Sequence, residues 1–242
     1  DWNGDDDFSD TGEDVTARTL QCEWKRGSDY ASQLVGKAVA GTLTATLNNE
    51  SADYSTFNTS SPLTGNLVPG RKVKLTGNDG STTRTLWTGF LDSIEPIPSA
   101  NGANLARLKA IGPLGYLNKF DVSTAMFASK KAGELIGEIL DAAGWSDDDR
   151  DLDDGIVEFP RFWCERTKTL KALRLVEETE TGLLEENAAG SIVYRDRHAR
   201  SKDARSTASQ ATYSDASGAA LAYSHISQID PLKFIYNELR AK

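Results

Sequence analysis

The chain has 242 residues, room for one large domain or two of ordinary size. Its 36 acids outnumber 27 bases for a net charge of −9, which excludes sequence-independent wrapping of nucleic acid, a task that needs a strong cationic field. A hydrophobic fraction of 38%, with eight Phe, seven Tyr and five Trp, is enough for a core, but no apolar run is long enough to span a membrane as a helix and no signal-peptide pattern is present.

Residues 1–14, DWNGDDDFSDTGED, are acidic and aperiodic. Asp1, Asn3, Asp5 and Asp7 fall at every second position, as in the first half of a calcium loop. There, oxygens from the first, third and fifth residues surround a hard cation and the seventh offers a backbone carbonyl. Asp6 stands where that pattern has glycine, Gly12 where it has a bidentate Glu, and Glu13 comes one place late. Asp1, Asn3, Asp5 and Asp7 are the candidate metal ligands, and calcium is the one cofactor the sequence suggests. A solvated acidic turn is the alternative.

In Val15–Arg26, Leu20, Cys22 and Trp24 alternate with Gln21, Glu23 and Lys25, the period of a half-buried strand. Tyr30–Lys37 reads as a loop, with Tyr30 and Leu34 able to dock on the core. Val39–Asn48 is the cleanest strand. It sets Val39, Gly41, Leu43, Ala45 and Leu47 on one face and Thr42, Thr44 and Thr46 on the other. The polar loop Asn49–Asn66 is longer than a hairpin needs, and Tyr54 and Phe57 are its expected anchors. Further strands are expected at Lys72–Leu75, Thr85–Ile94 and Leu105–Ile111. A hairpin turn belongs at 77–80, a bulge or tight bend at Gly89, and a stop at Pro96 and Pro98. Asn101-Gly102 turns the chain. Antiparallel strands in this number make a barrel or a sandwich.

Helical signals take over after Gly112-Pro113. Pro113 suits the first position of a short helical turn. Ala132, Leu135, Ile136, Ile139, Leu140 and Ala143 form one stripe, and Gly144 is a good stop. The acidic stretch Ser146–Gly155 reads as a solvated connection, with metal binding as a lesser alternative. Ile156–Arg161 reads as a strand, and Phe159, Phe162 and Trp163 as an aromatic knot in the core. Thr169 is the expected N-cap of a helix buried through Leu170, Leu173 and Val176. Glu177, Glu178 and Glu180 sit at its C-terminus, where the macrodipole disfavours them, which points to partners elsewhere or to an exposed face. Gly182 is expected to stop this helix. Leu183–Asn187 and Ser191–Arg195 then pair around Ala188-Ala189-Gly190. Arg195–Arg205, RDRHARSKDAR, is a basic loop or subunit interface. Ala208–Tyr213, Ala220–Ile229 and Phe234–Leu239 read as strands. The chain starts at Asp1, not Met, and the last strand is cut off near Lys242, so the natural chain is expected to extend past both ends.

Catalytic patterns are missing. The only histidines are His198 and His225, and no nucleophile–base, metalloprotease, phosphate-loop or paired-cysteine spacing appears. Cys22 and Cys164 read as buried thiols, with a disulfide as the alternative; a zinc site would need both of them to meet both histidines. Glu185 and Glu186 point to opposite faces of one strand, so they cannot form a glycosidase pair. The expectation is a protein that is not an enzyme.

Five segments carry a resemblance: "GNLVPGRKVKL", "LWTGFLDSIEP", "ARLKAIGPLGYL", "AGELIGEILDAAGW" and "LRLVEETETGLLEENAAGSIVYRDR". In this order, across residues 14–240, they resemble the hub proteins of phage tails, found at siphophage tail tips and in the baseplates of contractile tails. The resemblance implies an α+β, mainly β fold: a tail-tube-like antiparallel β-barrel over 15–111, a helix-containing insert over 112–205 and the start of a second β-barrel over 206–242, after the acidic loop 1–14. It implies a virion structural protein, a homotrimer that closes the tail tube and opens for genome passage. The implied partners are its own copies, the distal tail or tail-tube protein, the tape measure protein, and fibre or receptor-binding proteins. DNA would pass without specific binding. The family offers no strict catalytic or ligand residues to carry over. The main alternative is a secreted calcium-dependent carbohydrate-binding or adhesin module.

Overall fold

The structure is a computed structural model and describes residues 1–28, 37–100, 102–203, 208–209, 211–214 and 221. Asp1–His198 forms one compact body and Ala199–Lys242 a second. In the second body the description is confined to a short helix at Ala199–Lys202 and a contact in which Ser214 N donates to Leu221 O at 3.0 Å. The strands expected beyond Ala220, and the loop residues Tyr30 and Leu34, lie outside the described residues.

The first half of the large body is a five-stranded antiparallel sheet in the order β1-β2-β5-β4-β3. Its strands are β1 (Thr19–Ser28), β2 (Ala38–Asn48), β3 (Lys72–Asn78), β4 (Thr83–Ile97) and β5 (Leu105–Ile111). Register is set by the alternation of the central strands. Leu43, Ala45 and Leu47 of β2, Trp87 and Leu91 of β4, and Ala106, Leu108 and Ala110 of β5 point into one core, with Trp2 and Tyr54. Thr42 and Thr44 face solvent. A one-residue slip would expose the whole apolar set, so the pairing is strongly specified.

Several expectations shift for physical reasons. Trp24 lies opposite buried Leu43 yet is 48% exposed. β1 is an edge strand with β2 as its one described neighbour, and the core reaches it only in part, at Cys22. Val39 is also exposed, because Ala38 and Ala40 on the opposite face meet the helical layer. Pro96 does not stop β4; it pairs with Ala106 inside it. β3 covers β4 only from Thr83 to Phe90, so the missing N–H of Pro96 costs no ladder bond on that side. Gly89 is a close approach: a Cβ there would lie 2.4 Å from both Ile111 O and the Trp87 ring. β3 runs on through Gly77 and Asn78, and the turn closes from Asp79 N to Thr82 O. In the long loop Tyr54 anchors as expected, but Phe57 is 88% exposed.

The second half is a helical layer with three small sheets. Its elements are α1 (Pro113–Leu117), β6 (Asp121–Val122), β7 (Phe127–Lys131), α2 (Ala132–Ala142), β8 (Arg150–Leu152), β9 (Glu158–Phe162), β10 (Thr167–Lys168), α3 (Thr169–Glu180), β11 (Leu183–Glu186) and β12 (Ile192–Arg195). Pro113 opens α1 as the sequence predicts. α2 buries Leu135, Ile136, Ile139 and Leu140 completely, worth about 6–12 kcal/mol before entropy. Glu134 reaches back to Lys131 N at 2.8 Å, and Gly144 takes φ +72° just past the end. The acidic stretch after α2 contains β8, which runs parallel to β12, while β7 pairs with β9. Both strands are too short to show a period. Phe159 and Phe162 are buried, whereas Trp163 is 62% exposed, so the aromatic knot is a pair.

Thr169 is the first helical residue of α3, not its cap; its Oγ1 donates to Phe120 O at 3.1 Å. Leu173 and Val176 are buried with Ala172, while Leu170 is only half-buried. The stop falls at Thr181, which takes the left-handed conformation at φ 60°. Gly182 instead packs under Tyr194, whose ring carbon would lie 2.7 Å from a Cβ there. The β11–β12 hairpin turns at Gly190 with φ +92°, as predicted. Both cysteines are free and half-buried.

Candidate functional site

Three buried carboxylates hold the helical layer together and join it to the sheet. Glu177 sits on α3 one turn before its end. It takes two bonds from Arg174 Nη1 at 2.9 and 2.7 Å and accepts Leu184 N–H at 2.8 Å. Arg174 in turn donates to Ala38 O of β2 at 2.5 Å. Glu180 accepts the N–H groups of Ile156 and Val157 at 3.2 and 2.6 Å, with Arg197 at 3.5 Å. Glu186 accepts Gly41 N–H at 2.6 Å and Leu114 N–H at 3.0 Å. The acidic end of α3 is therefore two buried backbone clamps, Glu177 and Glu180, and one exposed residue, Glu178, paired with Lys37. Burial pushes the Tyr194 phenol up, and its OH is buried with no partner among the described residues. Arg195 of the basic exit is committed to Asp151 and Asp153.

Beside α3 runs a groove of about 680 Å³. Phe162, Trp163, Leu170 and Leu175 give it apolar walls, and Lys171, Glu165 and Glu178 a charged rim. Trp163 and Leu175 are exposed there, as are Leu20 and Trp24 on β1 and Phe57 in the long loop. Of these, Trp163 and Leu175 line one groove, whereas Leu20, Trp24 and Phe57 lie on other elements. The alternation of β1 and the pairing of Trp163 with the Phe residues gave no hint that these aromatics face outward.

The acidic loop brings together part of the predicted ligand set. Asn3 Nδ2 donates to Asp5 Oδ2 at 2.9 Å and to Asp10 Oδ2 at 2.7 Å. Asp1 caps the loop backbone, accepting Gly4 N–H at 2.6 Å and Asp6 N–H at 3.3 Å. Asp7 turns to Phe8 N, Ser9 N and the Ser9 hydroxyl, which holds its carboxyl below the usual range. Asp10, outside the spacing argument, bonds the Asn3 amide, and Glu13, one place late in that pattern, accepts Trp2 N–H. Among the described residues no three acidic, histidine or cysteine side chains lie close enough together to hold a metal ion.

The chain thus has the fold of a mainly β module, a curled antiparallel half-barrel carrying a helical layer. Comparison with solved structures gives the following similarities. The E. coli c3393 protein, a type VI secretion component with structural similarity to the T4 bacteriophage tail proteins gp27 and gp5, superposes at a TM-score of 0.50 with 10% identity over 74% of this chain and 46% of that one. The 43 kDa tail protein of prophage MuSo2 from Shewanella oneidensis gives 0.49 with 15% identity, over 74% and 50% of the two chains. A tail protein from Neisseria meningitidis MC58 gives 0.47 with 13% identity, over 64% and 42%. The chain spans half or less of each. No family model and no curated protein sequence matches it.

Proposed function

We propose that this chain is part of a structural protein of a phage tail, the trimeric hub at the tail tip or baseplate. In this reading it closes the tail tube, joins it to distal tail and receptor-binding proteins, and opens for the tape measure protein and the genome. It works by shape and contact, without catalysis, and its place is the virion. The observation that carries the reading is the architecture: a five-stranded half-barrel with the helical layer clamped to it through Glu186, the fold shared with the E. coli protein. Exposed Trp24, Trp163 and Leu175 support it, since an assembly component keeps apolar surface for its neighbours. The net charge of −9 suits a passage that DNA slides through without binding.

Light scattering on the purified protein tests the stoichiometry, with a mass of three chains expected. Images of intact particles with an antibody against the chain test the location. A monomer that binds glycans and labels no tail overturns the proposal in favour of a carbohydrate-binding module.

A further inference from the structure

Asn3 is followed by Gly4, and both are exposed. At an Asn-Gly step the next backbone nitrogen can close a five-membered ring on the side-chain amide, because glycine has no Cβ to hinder it. The reaction needs a base for the attacking N–H, a donor for the side-chain oxygen as it turns negative, and stabilisation of the departing nitrogen. The fold supplies all three.

Gly4 N–H donates to Asp1 Oδ1 at 2.6 Å, so a carboxylate already sits on the proton that must leave. Asp1 is 8% exposed, and little water competes for it. The carbonyl of the same peptide, Asn3 O, accepts from Arg71 Nη1 at 2.8 Å. A guanidinium on that oxygen draws electron density out of the peptide and stabilises the anion formed when its N–H is lost. A Cβ at Gly4 would clash with the same Nη1, so glycine is what lets Arg71 reach this carbonyl. Asn3 Oδ1 accepts Asp5 N–H at 3.2 Å, a donor placed where the oxyanion forms. Asn3 Nδ2 lies between Asp5 Oδ2 at 2.9 Å and Asp10 Oδ2 at 2.7 Å, which favour the nitrogen as it takes up a proton and turns positive.

We propose that Asn3 is a self-modifying residue, converted to aspartate and isoaspartate through attack of Gly4 N on its side-chain amide. The bond from Gly4 N to Asn3 Cγ forms and the Gly4 proton passes to Asp1. The Cγ–Nδ2 bond then breaks and ammonia leaves, carrying that proton. Water opens the cyclic imide at either carbonyl, which gives aspartate or the longer-backbone isoaspartate. The product exchanges the donor shared by Asp5 and Asp10 for a third carboxylate, and mutual repulsion loosens the loop. The step is thus an irreversible timer on the segment that Arg71 and Lys72 hold at the start of β3. It stands independently of the assembly reading.

Incubation of the full chain at neutral pH, followed by peptide mapping in a mass spectrometer, reads the change from amide to acid at Asn3 and separates the two products. Conversion should run faster in the folded chain than in the same chain in urea, by roughly tenfold or more. Asp1→Asn keeps an oxygen for the Gly4 N–H but removes the base, and should bring the folded-chain rate down toward that in urea. Arg71→Gln leaves every carboxylate of the loop in place and should slow the reaction in the same direction. An Asn3 that reacts no faster folded than in urea overturns the proposal, since the loop would then shield the step. So does an unchanged rate in Asp1→Asn or, if that variant does not fold, in Arg71→Gln.

Discussion

The carboxylate of Glu186 and the N–H of Gly41 meet at 2.6 Å across 145 residues of sequence, and this bond closes the seam between the sheet and the helical layer. The seam is built without room to spare. A Cβ at Gly41 would lie 2.2 Å from Glu186 Oε1, and one at Gly112 would lie 2.1 Å from the same oxygen.

Removing that carboxylate should be costly. Glu186→Ala strands the N–H groups of Gly41 and Leu114, so stability should fall by about 2–5 kcal/mol. Gly112→Ala should cost about 1–3 kcal/mol by overpacking the same spot. Urea midpoints read both, and a midpoint unchanged in Glu186→Ala would mean the seam holds without this clamp.

Glu186 also sets a pH dependence. Burial pushes its carboxyl up from the usual 4.5, while the Leu114 and Gly41 N–H groups, with Arg26 and Arg174, oppose the shift less strongly. The folded chain therefore binds the proton more tightly than the unfolded one. The stability this gives is fully present below pH 4.5 and is lost as pH rises through the higher folded-state value. Measured against Glu186→Gln, the native chain should lose stability on going from acid toward neutral pH. A pH-independent difference would show an unshifted carboxyl.

Thr181 ends α3 in the left-handed conformation at φ 60° and ψ 31°, an unfavourable setting for a β-branched residue. Its side chain is exposed, so nothing is lost by removing it. Thr181→Gly should raise stability by about 0.5–1 kcal/mol, seen as a higher melting temperature.

Trp163→Ser and Leu175→Ser alter exposed side chains of the groove and should change monomer stability by no more than about 0.5 kcal/mol. If the groove is a subunit contact, the same variants should lower the mass seen in light scattering. Unchanged assembly would place the contact on another face.

Much of the fold is legible in the sequence, because period and punctuation carry it. The alternation of Ala106, Leu108 and Ala110 predicts β5, the stripe of Leu135, Ile136, Ile139 and Leu140 predicts α2, and Gly190 marks its hairpin. Position in the sheet is what alternation cannot encode. Leu20 and Trp24 have the pattern of core residues but belong to an edge strand, while Phe57 and Trp163, outside any strand, are exposed although their aromatic character suggested the core. The roles of Glu177, Glu180 and Glu186 are likewise nonlocal, since each accepts from backbone of another element. In the acidic loop, even spacing does not reveal that Asp10 bonds the Asn3 amide, a contact that depends on how the loop closes.

The two margins of the five-stranded sheet are not equivalent. At β3 the acidic loop intervenes: Lys72 is tied to Asp6, Lys74 stacks on the Phe8 ring and Arg71 grips Asn3. At β1, ten residues have a described neighbour on one side only. The acidic loop therefore ties itself to the start of β3 through three basic side chains, a setting that β1 does not share among the described residues.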